Sequence, residues 1–482
     1  MHLDLVPGTV AYAVYAITMW GLRLGLIAYV LPRHRASEAI AWIAVTLIHP
    51  AVGIPLYLFF GRPVVRRAGV RVHDEARDLV TRQRPKAVDP TRFDHIAATH
   101  RDLANLAENL GHHHLQPGNE VQILTASADF IRALAREIDA AEHTVHLLYY
   151  IYLDDDVSSA VTEALERAAK RGVATRVLVD AAGSRRWLET VGPRLTAAGA
   201  EVLAALPVRM LRSKFSRMDV RNHRKLAVFD NRIAITGSHN VCNPLYGQTK
   251  IGAWQDLSMR VTGPVVDELQ LVFLQDWVAE AGAMPDLPGP ASEAIATDRT
   301  TVPILVSPAG PGLGNQAFRD VMVSAINEAD ERVVMTTPYF VPDEAALLAL
   351  RLRALAGIKV QIIVPERSNS QLVNAASRPA LQSLIEAGAE VYLHKEGLLH
   401  AKTLTIDGAF SLIGSGNFDR RSFDLNYELN QLLFGAEVTS ALRDCQQVYM
   451  AGSRLATLEE FTARRYSQRV IDAAANVLAP LL

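Results

Sequence analysis

Apolar residues are concentrated at the start of this 482-residue chain. Residues 10–30 are apolar except for Arg23, and residues 40–60 are apolar except for His49. Each stretch matches the ~20 residues that an α-helix needs to cross a bilayer. The pattern therefore predicts a hairpin of two membrane helices within residues 1–61.

Two other structures would produce the same stretches: a cleavable signal peptide, or a pair of buried helices in a soluble domain. No Lys or Arg precedes the first stretch, no clear small-residue cleavage site follows it, and the second stretch comes at once. These features favour membrane helices. Pro50, Gly53 and Pro55 predict a kink in the second helix, which a membrane helix tolerates.

The arginines around these stretches predict a topology. Residues 1–9 contain no Lys or Arg, and the connecting loop contains Arg33 and Arg35. Five more follow the second stretch: Arg62, Arg66, Arg67, Arg71 and Arg77. The larger cluster predicts that the long C-terminal portion is cytoplasmic, whereas the loop arginines favour the opposite orientation.

Strand-like and helical patterns alternate beyond a polar, Arg-rich connector with helical stretches at residues 62–118. The predicted strands are 144–152, 174–180, 332–341 and 358–365, and the predicted helices are 157–171, 343–356 and 379–387. The pentapeptide AGAEV ends a helix and begins a strand in both halves, at 198–202 and 387–391. The alternation predicts an α/β fold with mixed sheets and a first half at 119–282. A Pro- and Gly-rich linker at 283–314 separates it from a second half at 315–482.

A short motif also occurs twice, once in each half. The pattern H-x-K-x-x-x-x-D is followed at the same distance by G-S-x-N. Its polar members are His223, Lys225, Asp230, Ser238 and Asn240 in the first copy, and His400, Lys402, Asp407, Ser415 and Asn417 in the second. Paired histidines and lysines are typical of phosphoryl-type transfer through a covalent histidine intermediate.

Strand geometry explains the spacing within the motif. The His and Lys are two residues apart, so they share one face of a strand. Asp230-Asn231 and Asp407-Gly408 are typical two-residue hairpin turns. Such turns would place Ser238 opposite His223, and each hairpin would then gather an imidazole, an ammonium, a hydroxyl and an amide on one surface.

The same geometry places each motif Asp at a turn, about 20 Å from its His at ~3.3 Å per residue. That distance favours a structural role for Asp230 and Asp407. Their place in the motif nevertheless keeps both as candidate catalytic residues. Duplicated halves related by a pseudo-two-fold axis would bring the two hairpins together in one shared active site, and two separate half-sites are the alternative.

Composition excludes several other classes. The formal net charge of -2 provides no basic field for nucleic acid. Two cysteines, Cys242 and Cys445, exclude a disulfide framework and suit a reducing compartment. The run at 112–114 is three histidines, but no further zinc ligands are evident nearby, so a polar connector is the favoured interpretation.

The paired motif resembles that of the phospholipase D superfamily, and more narrowly the chain resembles its bacterial cardiolipin synthases. The resemblance covers nearly the whole chain. Its other marks are LFFG at 58–61, WQDL at 254–257, TPYFVP at 337–342, GLLHAK at 397–402, DRRS at 419–422 and NYE at 426–428. It implies two phospholipase D-like halves behind the membrane hairpin. The predicted location is the bacterial cell membrane, as a multi-pass protein, with the catalytic portion on the cytoplasmic side that the larger arginine cluster predicts.

The resemblance also implies a reaction. Two phosphatidylglycerols become cardiolipin and glycerol, with no metal and no nucleotide cofactor, and the partners are membrane lipids. By analogy with relatives, His223 is the nucleophile and His400 the general acid and base. Two further groups are implied: phosphoryl-binding residues Lys225, Lys402, Asn240 and Asn417, and imidazole-orienting carboxylates Asp256 and Glu428.

Other activities would use the same motifs. A phospholipase D-type hydrolase would let water attack, and a transphosphatidylase would take another alcohol. A nuclease is disfavoured by the near-neutral charge and the apolar N-terminus. A non-enzymatic membrane scaffold with an inactive duplicate would predict an eroded motif, and both copies are intact.

Overall fold

The structure is a computed structural model that describes residues 7–34, 36–57, 61, 67–83, 88–207, 220–247, 251–286, 301–311 and 316–477. Its helices are α1 Pro7–Val30, α2 Ala36–Ile48, α3 Pro50–Leu56, α4 Arg67–Gln83, α5 Arg101–Gly111, α6 Ser127–Ala140, α7 Ser159–Lys170, α8 Arg185–Thr190, α9 Gly192–Ala197, α10 Val265–Ala281, α11 Ala317–Asn327, α12 Glu344–Leu355, α13 Gln371–Glu386, α14 Arg420–Asp424, α15 Ala436–Ala451, α16 Leu458–Thr462 and α17 Tyr466–Val477. Short 3-10 helices occur at Leu31–Arg33, Arg92–His95 and Ala98–His100.

The strands alternate with these helices along the chain. They are β1 Gln116–Leu124, β2 Thr144–Tyr149, β3 Ala174–Asp180, β4 Glu201–Ala205, β5 Lys225–Phe229, β6 Ile233–Gly237, β7 Trp254–Gln255, β8 Ser258–Thr262, β9 Val302–Ala309, β10 Arg332–Thr336, β11 Phe340–Val341, β12 Lys359–Pro365, β13 Glu390–His394, β14 Leu398–Leu399, β15 Thr403–Ile406, β16 Phe410–Gly414, β17 Phe418–Asp419, β18 Glu428–Phe434 and β19 Ser453–Leu455.

One 15-stranded mixed sheet runs through both halves. The first half contributes the order β1-β8-β6-β5-β2-β3-β4, and the second contributes β9-β18-β16-β15-β10-β12-β13-β19. The seven strands of the first order correspond to the first seven of the second, and β19 is an additional edge strand. The halves join where β1 pairs with β9 antiparallel. The mixed α/β fold and its duplication are therefore confirmed.

Successive side chains of a strand point to opposite faces of the sheet, so alternate residues of the central strands pack in different cores. In β2, Val145 and Leu147 pack in a core of the first half, whereas Leu148 faces the opposite side of the sheet. That opposite side forms a core with residues from both halves, including Phe273 of α10 and Leu433 of β18. The shared core explains how the two halves are held in a fixed relation.

The structure corrects several predicted boundaries. The predicted linker at 283–314 contains β9, which lies inside the sheet, and the start of β1 falls within the predicted connector at 62–118. The helical stretches predicted for that connector are α4 and α5. Helix α13 begins at Gln371 rather than at Pro379, because the Ser370 hydroxyl accepts a hydrogen bond from the Val373 N–H. Pro379 lies inside this helix.

The N-terminal region contains one helix long and apolar enough to cross a membrane, at Val10–Arg33 within the described residues. The second apolar stretch is divided into α2 and α3, and residues 58–60 lie outside the described residues. The break falls at His49, whose backbone is extended (φ -157°). The predicted kink is confirmed here, because a residue that precedes proline is disfavoured in the helical conformation.

Candidate active site

Each repeated motif forms a β-hairpin, β5–β6 in the first half and β15–β16 in the second. Phe229 pairs with Ile233, and Ile406 pairs with Phe410, so each turn contains three residues rather than two. The predicted register, with His223 opposite Ser238 and His400 opposite Ser415, is therefore wrong by one residue. The additional turn residue shifts every cross-strand pair by one position.

The motif aspartates lie at these turns, far from the histidines along the strands. The Asp230 carboxylate accepts the backbone N–H groups of Glu142, His143 and Thr144 at 2.7–2.8 Å. Asp407 accepts three equivalent N–H groups, those of residues 330–332, at 2.7–2.9 Å. Both carboxylates thus cap the start of a neighbouring strand. This arrangement corrects their inclusion among the candidate catalytic residues.

The two histidines pair with carboxylates across the halves. The Nδ1–H of His223 donates to Glu428 of the second half at 2.9 Å. The Nδ1–H of His400 donates to Asp256 of the first half at 2.5 Å. With Nδ1 occupied in this way, each Nε2 keeps its lone pair for chemistry.

Backbone pairing between the halves causes this crossing. The His223 N–H donates to the carbonyl of Tyr427, one residue before Glu428, at 2.9 Å. The His400 N–H donates to the carbonyl of Gln255, one residue before Asp256, at 2.8 Å. Each histidine is therefore held beside the strand that supplies the other half's carboxylate.

The motif serines support the carboxylates rather than the histidines of their own hairpins. Ser238 donates to Asp256 at 2.6 Å, and Ser415 donates to Glu428 at 2.5 Å. The predicted grouping of Ser238 with His223 is thus corrected, because Ser238 acts on the partner of His400. Ser422 also donates to Glu428, at 2.9 Å. No role was predicted for this serine, and the DRRS motif that contains it was the only indication in the sequence.

The two lysines lie buried beneath the histidines. Lys225 Nζ donates to the backbone carbonyl of His223 at 2.7 Å, and Lys402 Nζ donates to that of His400 at 2.6 Å. Burial lowers the pKa of Lys225 to about 8 and that of Lys402 to about 7. A bound anion close to the lysines would favour the protonated form of both.

Burial also controls the protonation of the two pairs. It lowers the pKa of His223 to about 4 and that of His400 to about 3, although the paired carboxylates oppose the shift. Burial alone would raise the pKa of Asp256 and Glu428, but the imidazoles and lysines lower it below its ordinary value. At neutral pH both imidazoles are therefore neutral and both carboxylates ionised.

A cavity of about 550 Å³ lies over this group, and both histidines line it. Asn240 and Asn417 also line it, and the described residues provide no hydrogen-bond partner for Asn240 Nδ2 or Asn417 Oδ1. Such buried amide groups are suited to a polar ligand. The Trp254 ring lies 4.4 Å from the His400 ring, centroid to centroid, so one wall beside the site is aromatic.

The histidine run at 112–114 serves the scaffold. His113 pairs with buried Glu268 at 2.7 Å, and His114 lies 3.4 Å from Glu108. Among the residues that the structure describes, no group of three or more His, Cys, Asp or Glu side chains is placed to hold a metal ion.

Comparison with known proteins identifies the family. The model described as "Cardiolipin synthase, PLD-like domain" matches residues 134–249 and 322–446. Cardiolipin synthase A of Pectobacterium atrosepticum is 34% identical over 98% of this chain and 99% of its own length. The chain belongs to the cardiolipin synthase family of the phospholipase D superfamily. The Proteus mirabilis member is also 34% identical, over 96% of this chain and 97% of its own length.

Two further similarities agree with this assignment. Residues 21–62 match a model described as "Phospholipase_D-nuclease N-terminal", which covers most of the apolar region. The solved phosphatidylserine synthase of Haemophilus influenzae superimposes with a TM-score of 0.59 over 79% of this chain and all of its own. At 15% identity that likeness concerns the fold alone.

Proposed function

We propose that the protein is a cardiolipin synthase that transfers a phosphatidyl group from one phosphatidylglycerol to another through a phosphohistidine. The observation that carries this proposal is the crossed arrangement of two His–carboxylate pairs on one cavity above two buried lysines. In a single active site shared by both halves, each half must supply groups that the other half lacks. The crossed hydrogen bonds support such a site, because each histidine pairs with a carboxylate of the other half. Family membership supports the substrate class.

In the first step, Nε2 of His223 attacks the phosphorus of the donor lipid. The bond from phosphorus to the glycerol oxygen breaks, and His400 in its protonated form gives that oxygen its proton. Free His400 has a pKa of about 3, so the bound phosphodiester anion must stabilise this proton. Lys225 and Lys402 hold the phosphoryl oxygens while charge accumulates on them.

In the second step, neutral His400 removes the proton from the primary hydroxyl of a second phosphatidylglycerol. The resulting oxygen attacks phosphorus, the bond to His223 breaks, and cardiolipin leaves with both histidines restored. The assignment of roles follows the relatives. The short 2.5 Å hydrogen bond from His400 to Asp256 supports it, because a close carboxylate stabilises the imidazolium that an acid–base catalyst forms.

The membrane location forms part of the proposal. Helix α1 has the length and hydropathy of a span, and only 6% of its most apolar window is buried. We place α1 across the bacterial cell membrane and α2–α3 as a second, broken span. The catalytic halves then lie on the cytoplasmic side, as the arginines after the second stretch favour.

Purified full-length protein in vesicles of labelled phosphatidylglycerol tests the activity. The expected products are cardiolipin and free glycerol in equal amounts. Phosphatidic acid as the main product would indicate a hydrolase. Formation of phosphatidyl esters only when another alcohol is added would indicate a different acceptor.

A further inference from the structure

The wall of the catalytic cavity carries positive charge beyond the two lysines. Arg221, Arg420 and Arg421 line it, and Asp419 is the sole carboxyl group among its described lining residues. Burial raises the pKa of Asp419 to about 6, so at neutral pH its carboxylate still offsets one of these positive charges. This cationic wall exceeds what one phosphodiester requires.

The three arginines differ in how their charge is already used. Nη1 of Arg221 lies 3.5 Å from the buried Asp180 carboxylate, so part of its charge is compensated. Nε of Arg420 is buried, and the part of the chain that the structure describes offers it no hydrogen-bond partner. A buried donor of this kind is unfavourable unless a ligand satisfies it.

The backbone holds Arg421 next to the nucleophile. Its carbonyl accepts the N–H of Asn426 at 2.9 Å, and the next residue, Tyr427, accepts the N–H of His223. Ser422, which follows Arg421, donates to Glu428, the partner of His223. The segment that carries Arg420 and Arg421 is thus tied to the reacting group rather than to a distant surface.

The proposed reaction involves two anionic lipids, whereas the lysines and asparagines account for one phosphoryl group. In phosphatidylglycerol the attacking oxygen lies five bonds from its own phosphorus, at most about 6 Å apart with ~1.5 Å bonds. The second phosphate must therefore lie near the first. Guanidinium groups bind phosphate through two parallel hydrogen bonds.

We propose that Arg420 and Arg421 form a subsite for the phosphate of the acceptor phosphatidylglycerol. The inference rests on the proposed function and adds to it the basis for choosing an anionic lipid acceptor. Water and neutral alcohols carry no phosphate, so they gain nothing from this subsite.

The test measures how the phosphatidyl-enzyme partitions between two acceptors. Full-length Arg420→Gln, Arg421→Gln and double-variant enzymes are supplied with labelled phosphatidylglycerol vesicles and a fixed concentration of ethanol. Cardiolipin, phosphatidylethanol and phosphatidic acid are measured together. Because all three products arise from one intermediate, their ratios report the second step and do not depend on the amount of folded enzyme.

Each single variant should lower the cardiolipin-to-phosphatidylethanol ratio about tenfold, and the double variant should lower it further. The labelled phosphatidyl-enzyme should still form. Arg→Lys variants should lower the cardiolipin-to-phosphatidylethanol ratio less than the Gln variants do, because they keep the charge but lose the bidentate hydrogen bonds. Arg167→Gln is the matched control, since Arg167 is exposed and pairs with Asp139 away from the cavity.

An unchanged ratio in the double variant would overturn the proposal. So would an equal loss of both products, which would place the arginines at the donor phosphate. Failure of the proposed function looks different, because the unaltered enzyme would then form no cardiolipin.

Discussion

Asp256→Asn tests the crossed pairing directly. Asp256 belongs to the first half, as His223 does, yet its carboxylate accepts from His400 of the second half. The substitution keeps the size of the side chain and removes its charge. We expect it to reproduce the defect of His400 variants rather than that of His223 variants.

The expected loss of rate in Asp256→Asn can be estimated from the hydrogen bonds that change. Asp256 is buried and accepts from His400 at 2.5 Å and from Ser238 at 2.6 Å. The bond to His400 strengthens when the imidazole takes a proton in the transition state. Hydrogen bonds to charged groups contribute about 1.5–3 kcal/mol, and the lost charge adds to this, so about 2–4 kcal/mol is expected. That corresponds to a rate lowered ~30- to 1000-fold.

Rapid quenching with labelled phosphatidylglycerol separates the two steps. The Asp256→Asn enzyme should form phosphatidyl-enzyme slowly from phosphatidylglycerol, because the leaving glycerol needs a proton from His400. From a labelled phosphatidyl-nitrophenol donor, whose leaving group needs no proton, it should form the adduct normally. With phosphatidylglycerol as acceptor that adduct should accumulate, because His400 no longer removes the acceptor proton efficiently. His223→Ala should form no covalent adduct. Ser238→Ala removes a neutral donor to the same carboxylate and should cost about 1 kcal/mol, roughly fivefold in rate.

Two results would refute the reasoning. Loss of the phosphatidyl-enzyme from the nitrophenol donor in Asp256→Asn, with unchanged folding, would mean that Asp256 supports the nucleophile instead. Adduct accumulation in Glu428→Gln but not in Asp256→Asn would reverse the roles of the two pairs.

Three further predictions concern stability, pH and the membrane region. Asp230→Ala and Asp407→Ala should each lower the free energy of unfolding by about 1–3 kcal/mol, since three backbone donors lose their acceptor. The kcat per folded molecule should stay within about twofold. A large loss of kcat in a fully folded variant would mean that the aspartate is catalytic. The value of kcat/KM should fall as pH rises through about 7, because activity requires protonated Lys402, whose pKa is about 7. A flat profile from pH 5 to 9 would contradict this. Deleting residues 1–61 should leave a folded protein that synthesises cardiolipin more slowly and forms a larger share of phosphatidic acid in detergent micelles. The reason is that the acceptor lipid is no longer concentrated at the site. An unchanged product ratio would mean that the apolar helices only anchor the protein.

Several features could be predicted from sequence because they depend on neighbouring residues. The duplicated α/β order follows from alternating periods, and the His–Lys spacing follows from the two-residue period of a strand. The break at His49 follows from the proline after it. Asp230 and Asp407 could be assigned to turns for the same reason, since turn chemistry is read over a few residues.

Other features could not be predicted in this way. The hairpin register depends on whether a turn has two or three residues, and both Asp230 and Asn231 adopt positive φ in the three-residue turn. The start of α13 depends on a cap at Ser370, which outweighs the signal from Pro379 inside the helix.

The groups for phosphoryl transfer, and their presence in two copies, can be read directly from the amino-acid sequence. Which carboxylate pairs with which histidine depends on the tertiary fold. His223 and Glu428 are 205 positions apart, and His400 and Asp256 are 144 apart. The pairing of strand segments between the halves brings them together, and no local period in the chain encodes that contact.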